Sequence, residues 1–478
     1  SAITASNSGS GGDLTLQAGR SVLVDANITT DNGDLTLTAN DTTSNGVVDG
    51  QRDSGAAVIT LKSGTTMNTG SGVFTSTIRD GAGKTNFASG DITLSTVTAG
   101  SLVATNSGPT SGSDILDNGV LTISGVTTLA AGSGNDITLD TSTNNFATVV
   151  ITSGRNVSLR DAGAIILGAS TVSGTYGITA GGAITDSGTQ EITGVTTLAA
   201  GSGNDITLDT STNNFAAAVV ITSGNNVAIT DEDAIDLGAA TVSGTYGITA
   251  GGAVTDSGTQ EIAGATTISA SGQDVTLDIS TNNFAAAVGI TGAAVTVVDE
   301  NTIDLGASTV SGTYTITATE GDITDSGNLA ITNAATFTTT EASSNIILDQ
   351  SGNAFSKKVT MKSGNGTAAF GNLTFVNSGP VRLHTSADTD DDLYINAATD
   401  GTVGGTLSVT ASGDITQTVP LVVADTTTLA AGSSNDITLS NASNNFATVV
   451  ITSGGDVNLR DEDAIDLGAA TVSGTYGI

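Results

Sequence analysis

The sequence predicts an all-β chain wound as a parallel β-solenoid, with about 21 residues per rung and higher-order repeats of about 70 residues. Three observations carry that expectation. The chain repeats itself: the segment from Gly125 to Ile192, beginning GVTTLAAGSGNDITLDTSTNNF, returns from Gly194 and, more loosely, from Gly264. Its apolar residues come in short period-two runs, such as Ile137-Thr138-Leu139, Val149-Val150-Ile151 and Val157-Ser158-Leu159, each closed by Gly, Asn or Asp. No stretch sustains a 3.6-residue apolar spacing, and Ala-rich pieces such as Phe215 to Val219 are too short for helices.

Strands this short cannot fold alone, because one rung buries too little apolar area to offset its chain entropy. Rungs must therefore stack, with three strands per coil and each Ile, Val or Leu over its counterpart in the next rung. Along residues 1–124 the rung is read from DLTL at Asp13 to Leu16, which recurs 21 residues later at Asp34 to Leu37. Two interruptions, Asp41 to Ala56 and Asp80 to Gly90, read as loops projecting from the rod. Residues 125–355 are built of the longer repeats: Phe146, Phe215, Phe284 and Phe355 mark one position at spacings of 69, 69 and 71, and Phe446 follows after 91. The excess in the last spacing is one further rung. Residues 356–421 are degenerate rungs with insertions, and residues 422–478 resume the repeat. The paired Asn144-Asn145, Asn213-Asn214, Asn282-Asn283 and Asn444-Asn445 suit turns, where Asn tolerates left-handed geometry and can hydrogen-bond along a ladder. With Phe146, Phe215, Phe284 and Phe446 they are the expected structural ladder. About 23 rungs at the strand spacing would make a rod of about 110 Å.

Composition narrows function. The 478 residues include 62 Gly, no Cys, no Trp and a single histidine, His384, which excludes thiol chemistry, disulfides and His-dependent triads repeated along the chain. A net charge of −35, with 47 acidic against 12 basic residues, repels phosphate backbones and anionic membrane surfaces, so no nucleic acid is expected as a partner. No apolar run reaches membrane-spanning length, so no membrane insertion is expected. Zero Cys with heavy Ser, Thr, Gly and Asn use fits a secreted or cell-surface bacterial protein.

The runs NDITLDTSTNNFATVVITSG, AIDLGAATVSGTYGITAGGAVTDSG and DLTLQAGRSVLVDANITTDNGDLTLTA resemble the shaft of filamentous-haemagglutinin-like exoproteins. These are large bacterial adhesins exported by two-partner secretion. The resemblance implies a right-handed parallel β-helix and an adhesive surface role. It covers nearly the whole chain, most specifically Gly125 to Thr340 and Thr426 to Ile478. The family's Asn-Pro-containing secretion domain has no counterpart, since none of Pro109, Pro380 and Pro420 follows Asn. TVSGTYGI at Thr471 to Ile478 stops where the copies at Thr171 and Thr241 continue, so either further chain or an identical subunit is expected to stack on the terminal rung.

Candidate chemistry is sparse. AGSGND at Ala131 to Asp136, copied at Ala200 and as AGSSND at Ala431, approaches a Ca²⁺-binding nonapeptide but lacks tandem copies at that motif's spacing and reads as an ordinary turn. The acidic DEDAIDLG segments, with Asp231, Glu232, Asp233, Asp461, Glu462 and Asp463, are weak Ca²⁺ candidates if copies align on neighbouring rungs; no other cofactor is expected. Arg382 and His384 beside Asp388, Asp390, Asp391 and Asp392 resemble the acid and base groups of a polysaccharide-cleaving β-helix, against the simpler reading of an acidic loop. Gly81 to Thr85 lacks the first glycine and the helix of a phosphate-binding loop. Six Asn-x-Ser/Thr sequons, at Asn27, Asn40, Asn156, Asn365, Asn372 and Asn441, are no more than composition provides. The expected function is thus a non-enzymatic extracellular shaft of an adhesin or filament, with a host-cell, glycan or matrix surface as partner. An end-to-end polymerising fibre subunit and a β-helical polysaccharide lyase or hydrolase are the alternatives.

Overall fold

A computed structural model of the chain describes every residue except 6–10, 43–44, 82, 109, 111, 365–368, 385–391 and 398–400. It contains two compact units, Ser1–Asp236 with Thr241–Ser243, and Leu237–Ala240 with Gly244–Ile478. Each is a parallel β-solenoid. The turn is about 22 residues long, slightly more than the 21 expected. The difference arises because turns are unequal: Leu14 pairs with Leu35, but Val157 pairs with Tyr176 and Val97 with Leu121. Among the described residues helical structure is confined to 3₁₀ geometry, as in the turn Asp49–Gln51.

In the first unit one inward column runs Ile59, Ile92, Ile115, Ile137, Val157, Tyr176, Thr196 and Val219, every member at most 2% exposed. Alternation of inward apolar and outward polar residues along each strand places this column inside, and each fully buried aliphatic side chain contributes roughly 1.5–3 kcal/mol. Three strands make a turn, as in Ser101–Asn106, Ile115–Asp117 and the opening residues of Leu121–Ala130. Several strands are longer than the expected three to five residues. Leu121–Ala130 and Asn145–Gly154 each bend round a corner through irregular register, so one strand serves two faces.

The second unit has an equivalent column of Val254, Val275, Val295, Tyr314, Ala335, Val359 and Leu393. The next residues outward form a stack of threonines, Thr255, Thr276, Thr296, Thr315, Thr336 and Thr360, ending at Tyr394. In the degenerate stretch, strand Asp392–Asn396 lies between Val359–Ser363 and Val381–His384, out of chain order. Leading into this stretch, Tyr314, Phe337, Phe355 and Phe375 pack in sequence, with centroids 5.9, 6.1 and 5.3 Å apart.

The long repeat does not contain a whole number of turns. Ile137 lies in a column with Val157, Tyr176 and Thr196, yet its counterpart one repeat later, Ile206, pairs with Ile184 in the neighbouring column. The second unit behaves the same way: Val275 heads Val295, Tyr314 and Ala335, whereas its counterpart Ile346 pairs with Ile323. The repeat is three turns and one strand long. Equivalent residues therefore move to the next face at each repeat and never stack on one another.

The two interruptions of the first unit fold together. Leu37 pairs with Ser76, a turn of 39 residues that accommodates the first loop. Buried Arg52 donates to Thr85 O at 2.9 Å, to Asp41 O at 3.1 Å and to the side chain of Asn40. Asn40 in turn donates to Arg79 O and Phe87 O, both at 2.9 Å, and Asp49 accepts the Thr85 N–H at 2.9 Å. The two loops thus form one projecting boss.

Candidate functional site

The expected ladder residues and the expected acidic candidates turn out to build one device, repeated at each Asn-x-Phe position. Its outer half is the first Asn of each pair. Asn213 is buried, accepts the Gln190 N–H at 2.9 Å from the preceding turn, and donates to Asp186 Oδ2 at 2.7 Å. Asn144 does the same with Leu121 N and Asp117, and Asn282 with Gln260 N and Asp256. Asn444 accepts from Leu421 N and donates to Gln417 Oε1 at 2.8 Å. The bonds run from Asn to the backbone and carboxylate of the adjacent turn, rather than along an Asn-to-Asn ladder. None of these asparagines has a positive φ; among the described non-glycine residues that geometry occurs at Asp31, Asn32, Asn40, Asn86 and Ser343. The second members, Asn145, Asn214, Asn283 and Asn445, point outward and are half-buried or exposed.

The inner half holds the phenylalanine. Phe146, Phe215, Phe284 and Phe446 are each 1% exposed, and each lies on an aliphatic residue of the adjacent turn: Ile123, Ile192, Ile262 and Val423. The Phe215 N–H donates to Asp231 Oδ2 at 2.9 Å, while Asp231 Oδ1 accepts the Asp233 N–H at 2.8 Å. Asp461 binds Phe446 N and Asp463 N in the same way, and Asp161 and Asp299 hold Phe146 and Phe284. Burial raises the Asp231 and Asp161 carboxyls above the usual range and pushes Asp299 up to about 6; it also raises Asp117, Asp256 and Asp325.

These bonds bear on the Ca²⁺ candidates. Asp231 and Asp461 spend both carboxylate oxygens on backbone N–H groups, while Glu232, Asp233, Glu462 and Asp463 are exposed. Copies of the acidic segment at Asp231 and Asp299 are 68 residues apart, about three turns, and at the corresponding position of the first repeat Asp161 pairs with Ala180. Among the described residues no group of three or more His, Cys, Asp or Glu side chains is arranged to hold a metal.

Sequence reasoning missed the fourth copy, in which Asn353 accepts Leu329 N and donates to Asp325, and Asn377 replaces the aspartate that holds the Phe355 N–H at 3.0 Å. The spacing of Phe355 was the available signal. It also missed the partner aspartates in each LDNG or TDSG turn.

A second column of Asp and Asn binds turn to turn at the surface. Asp91 accepts Asp114 N, Asp114 accepts Asp136 N, Asp136 accepts Asn156 N, and Asn156 accepts Thr175 N. Arg155 lies against Asp136 in a bidentate pair at 2.7 and 2.9 Å, which holds that carboxyl below its usual range. Sequon residues Asn156, Asn27 and Asn372 are engaged in such bonds, and Asn40 is buried in the boss. In the turn AGSGND, Gly132 has φ +85° and Asn135 closes back on Ala131 O at 2.8 Å. His384 lies opposite Tyr394, Arg382 opposite Asp392, and the Lys358 ammonium is 5.0 Å from the Tyr394 ring centroid. Asp388, Asp390 and Asp391 lie outside the described residues.

The chain matches a family described as repeats of unknown function (DUF5649) at residues 81–153, 154–222, 224–291, 292–362 and 383–453, well over half its length. No curated protein and no solved structure matches it.

Proposed function

We propose that this chain, which belongs to that repeat family, is a non-enzymatic protein of the bacterial surface whose task is mechanical: a stiff shaft, of the filamentous-haemagglutinin-like kind, that holds an adhesive element away from the cell. What supports the reading is where the polar side chains go. Buried Asn and Asp of each repeat are spent on the backbone of the next turn, so successive turns are joined by charge-assisted bonds as well as by the sheet. Such a coil resists bending and unravelling, and it leaves few groups free for catalysis. The acidic surface keeps neighbouring shafts apart. Secretion by a two-partner route and a host-cell, glycan or matrix partner are parts of the same proposal.

Electron microscopy of the purified chain, with and without Ca²⁺, tests it. Separate straight rods are expected, at about 100 Å for about 20 turns. Flexible beads would overturn the shaft, and fibres many times longer would replace it with a subunit that stacks end to end.

A further inference from the structure

The boss on the first unit carries an open cleft of about 560 Å³ between the turn at Gln17–Leu23 and the loop at Asn45–Asp53. Its size lies within the range of small-molecule sites. Two of the lining residues brace its walls. Arg52 ties the loop to Asn40, Asp41 and Thr85, and Arg20 donates to Ser54 O at 2.5 Å across the mouth. At Gly19 the loop rests directly on the coil: a Cβ there would lie 2.8 Å from Val47 Cγ1. The regular turn needs no such loop, since Ile115 reaches Ile137 in 22 residues where Leu37 reaches Ser76 in 39.

The lining is chemically mixed. Leu23 and Val48 are 63% and 58% exposed, high values for large apolar side chains in this chain, and both face the cleft. Around them stand Arg20, Ser21, Gln51 and Asp53, which supply donors and acceptors within one pocket. Two guanidinium groups and one carboxylate line it, but Arg52 is committed to Asn40, Asp41 and Thr85, which leaves Arg20 against Asp53; on a chain of net charge −35 this near balance disfavours a polyanion. Two exposed aliphatic side chains among amide, hydroxyl, guanidinium and carboxylate groups suit a ring with one C–H face and several hydroxyls.

We propose that this cleft binds a short neutral saccharide. The site is distinct from the shaft reading, which needs no ligand on the coil. Saturation-transfer NMR on the full chain, with cellotetraose, maltotetraose and chitotetraose as neutral probes and trigalacturonate as the acidic one, tests it. At least one neutral probe is expected to show ring-proton saturation that falls at least fivefold in Leu23→Asp and in Val48→Asp, both at exposed positions, with unchanged melting temperature. Trigalacturonate is expected to give no signal. Silence from all neutral probes, equal signals in both variants, or preferential binding of trigalacturonate would overturn the proposal. Straight rods without saccharide signal would remove the cleft alone and leave the shaft standing.

Discussion

Asp231 in the regular coil and Asp41 in the projecting boss are both buried carboxylates, and they are held differently. Asp231 is compensated by the backbone, through the N–H groups of Phe215 and Asp233. Asp41 has one local backbone donor, the Thr42 N–H at 2.8 Å, and is otherwise compensated by side chains: Arg79 Nε lies 2.9 Å from its Oδ1, and Asn45 Nδ2 donates to both oxygens at 3.0 and 3.1 Å. A coil with a fixed register delivers N–H groups to the same place in every repeat, so a carboxylate can rely on them. An insertion has no register to rely on, and a scarce arginine is used instead. Order in the coil is therefore a property of its geometry, whereas order in the boss rests on a few named side chains.

That contrast can be broken at both ends. The largest effect is expected from Phe215→Ala, which empties a core position and should cost about 3–5 kcal/mol in urea unfolding, with the coil transition itself displaced. Arg79→Ala removes the cation from Asp41 and should cost about 1.5–3 kcal/mol, but locally. Limited proteolysis should then cut within residues 41–56 while the coil transition stays in place; displacement of both together would refute the division.

The pH profile sharpens the comparison. The folded carboxyl of Asp299, at about 6, lies above its unfolded value, so protonation favours the folded state. This contribution is complete below the unfolded value and is lost as pH rises through about 6. Melting temperature should accordingly increase as pH falls from 7 to 5, and Asp299→Asn should reduce that slope; a profile falling over the same interval would contradict it. The smallest effect is expected from Arg155→Ala, whose exposed pair with Asp136 is screened by solvent and should leave melting temperature unchanged within error at moderate salt.

The coil was legible in the sequence because period two is a local signal that persists through the degenerate stretch, and the Phe positions recur on either side of it. The importance of Asn144, Asn213, Asn282 and Asn444 was legible too, but not their partners. Whether equivalent residues stack depends on the strand count per repeat, and a remainder of one strand leaves no mark on residue spacing. The boss was visible as two separate loops; their union rests on contacts such as Asn40 to Phe87, 47 residues apart, between segments with no shared pattern.

The one-strand remainder also governs how such a chain can grow. When a repeat is copied, every face of the coil must receive every kind of strand in rotation, so a new copy meets the same junctions wherever it is inserted. Any trait fixed in one copy and then multiplied is dealt around the circumference, like a thread on a screw. Lengthening the gene thus spreads a surface property to all sides of the coil, and gathering it on one side requires changes in individual repeats.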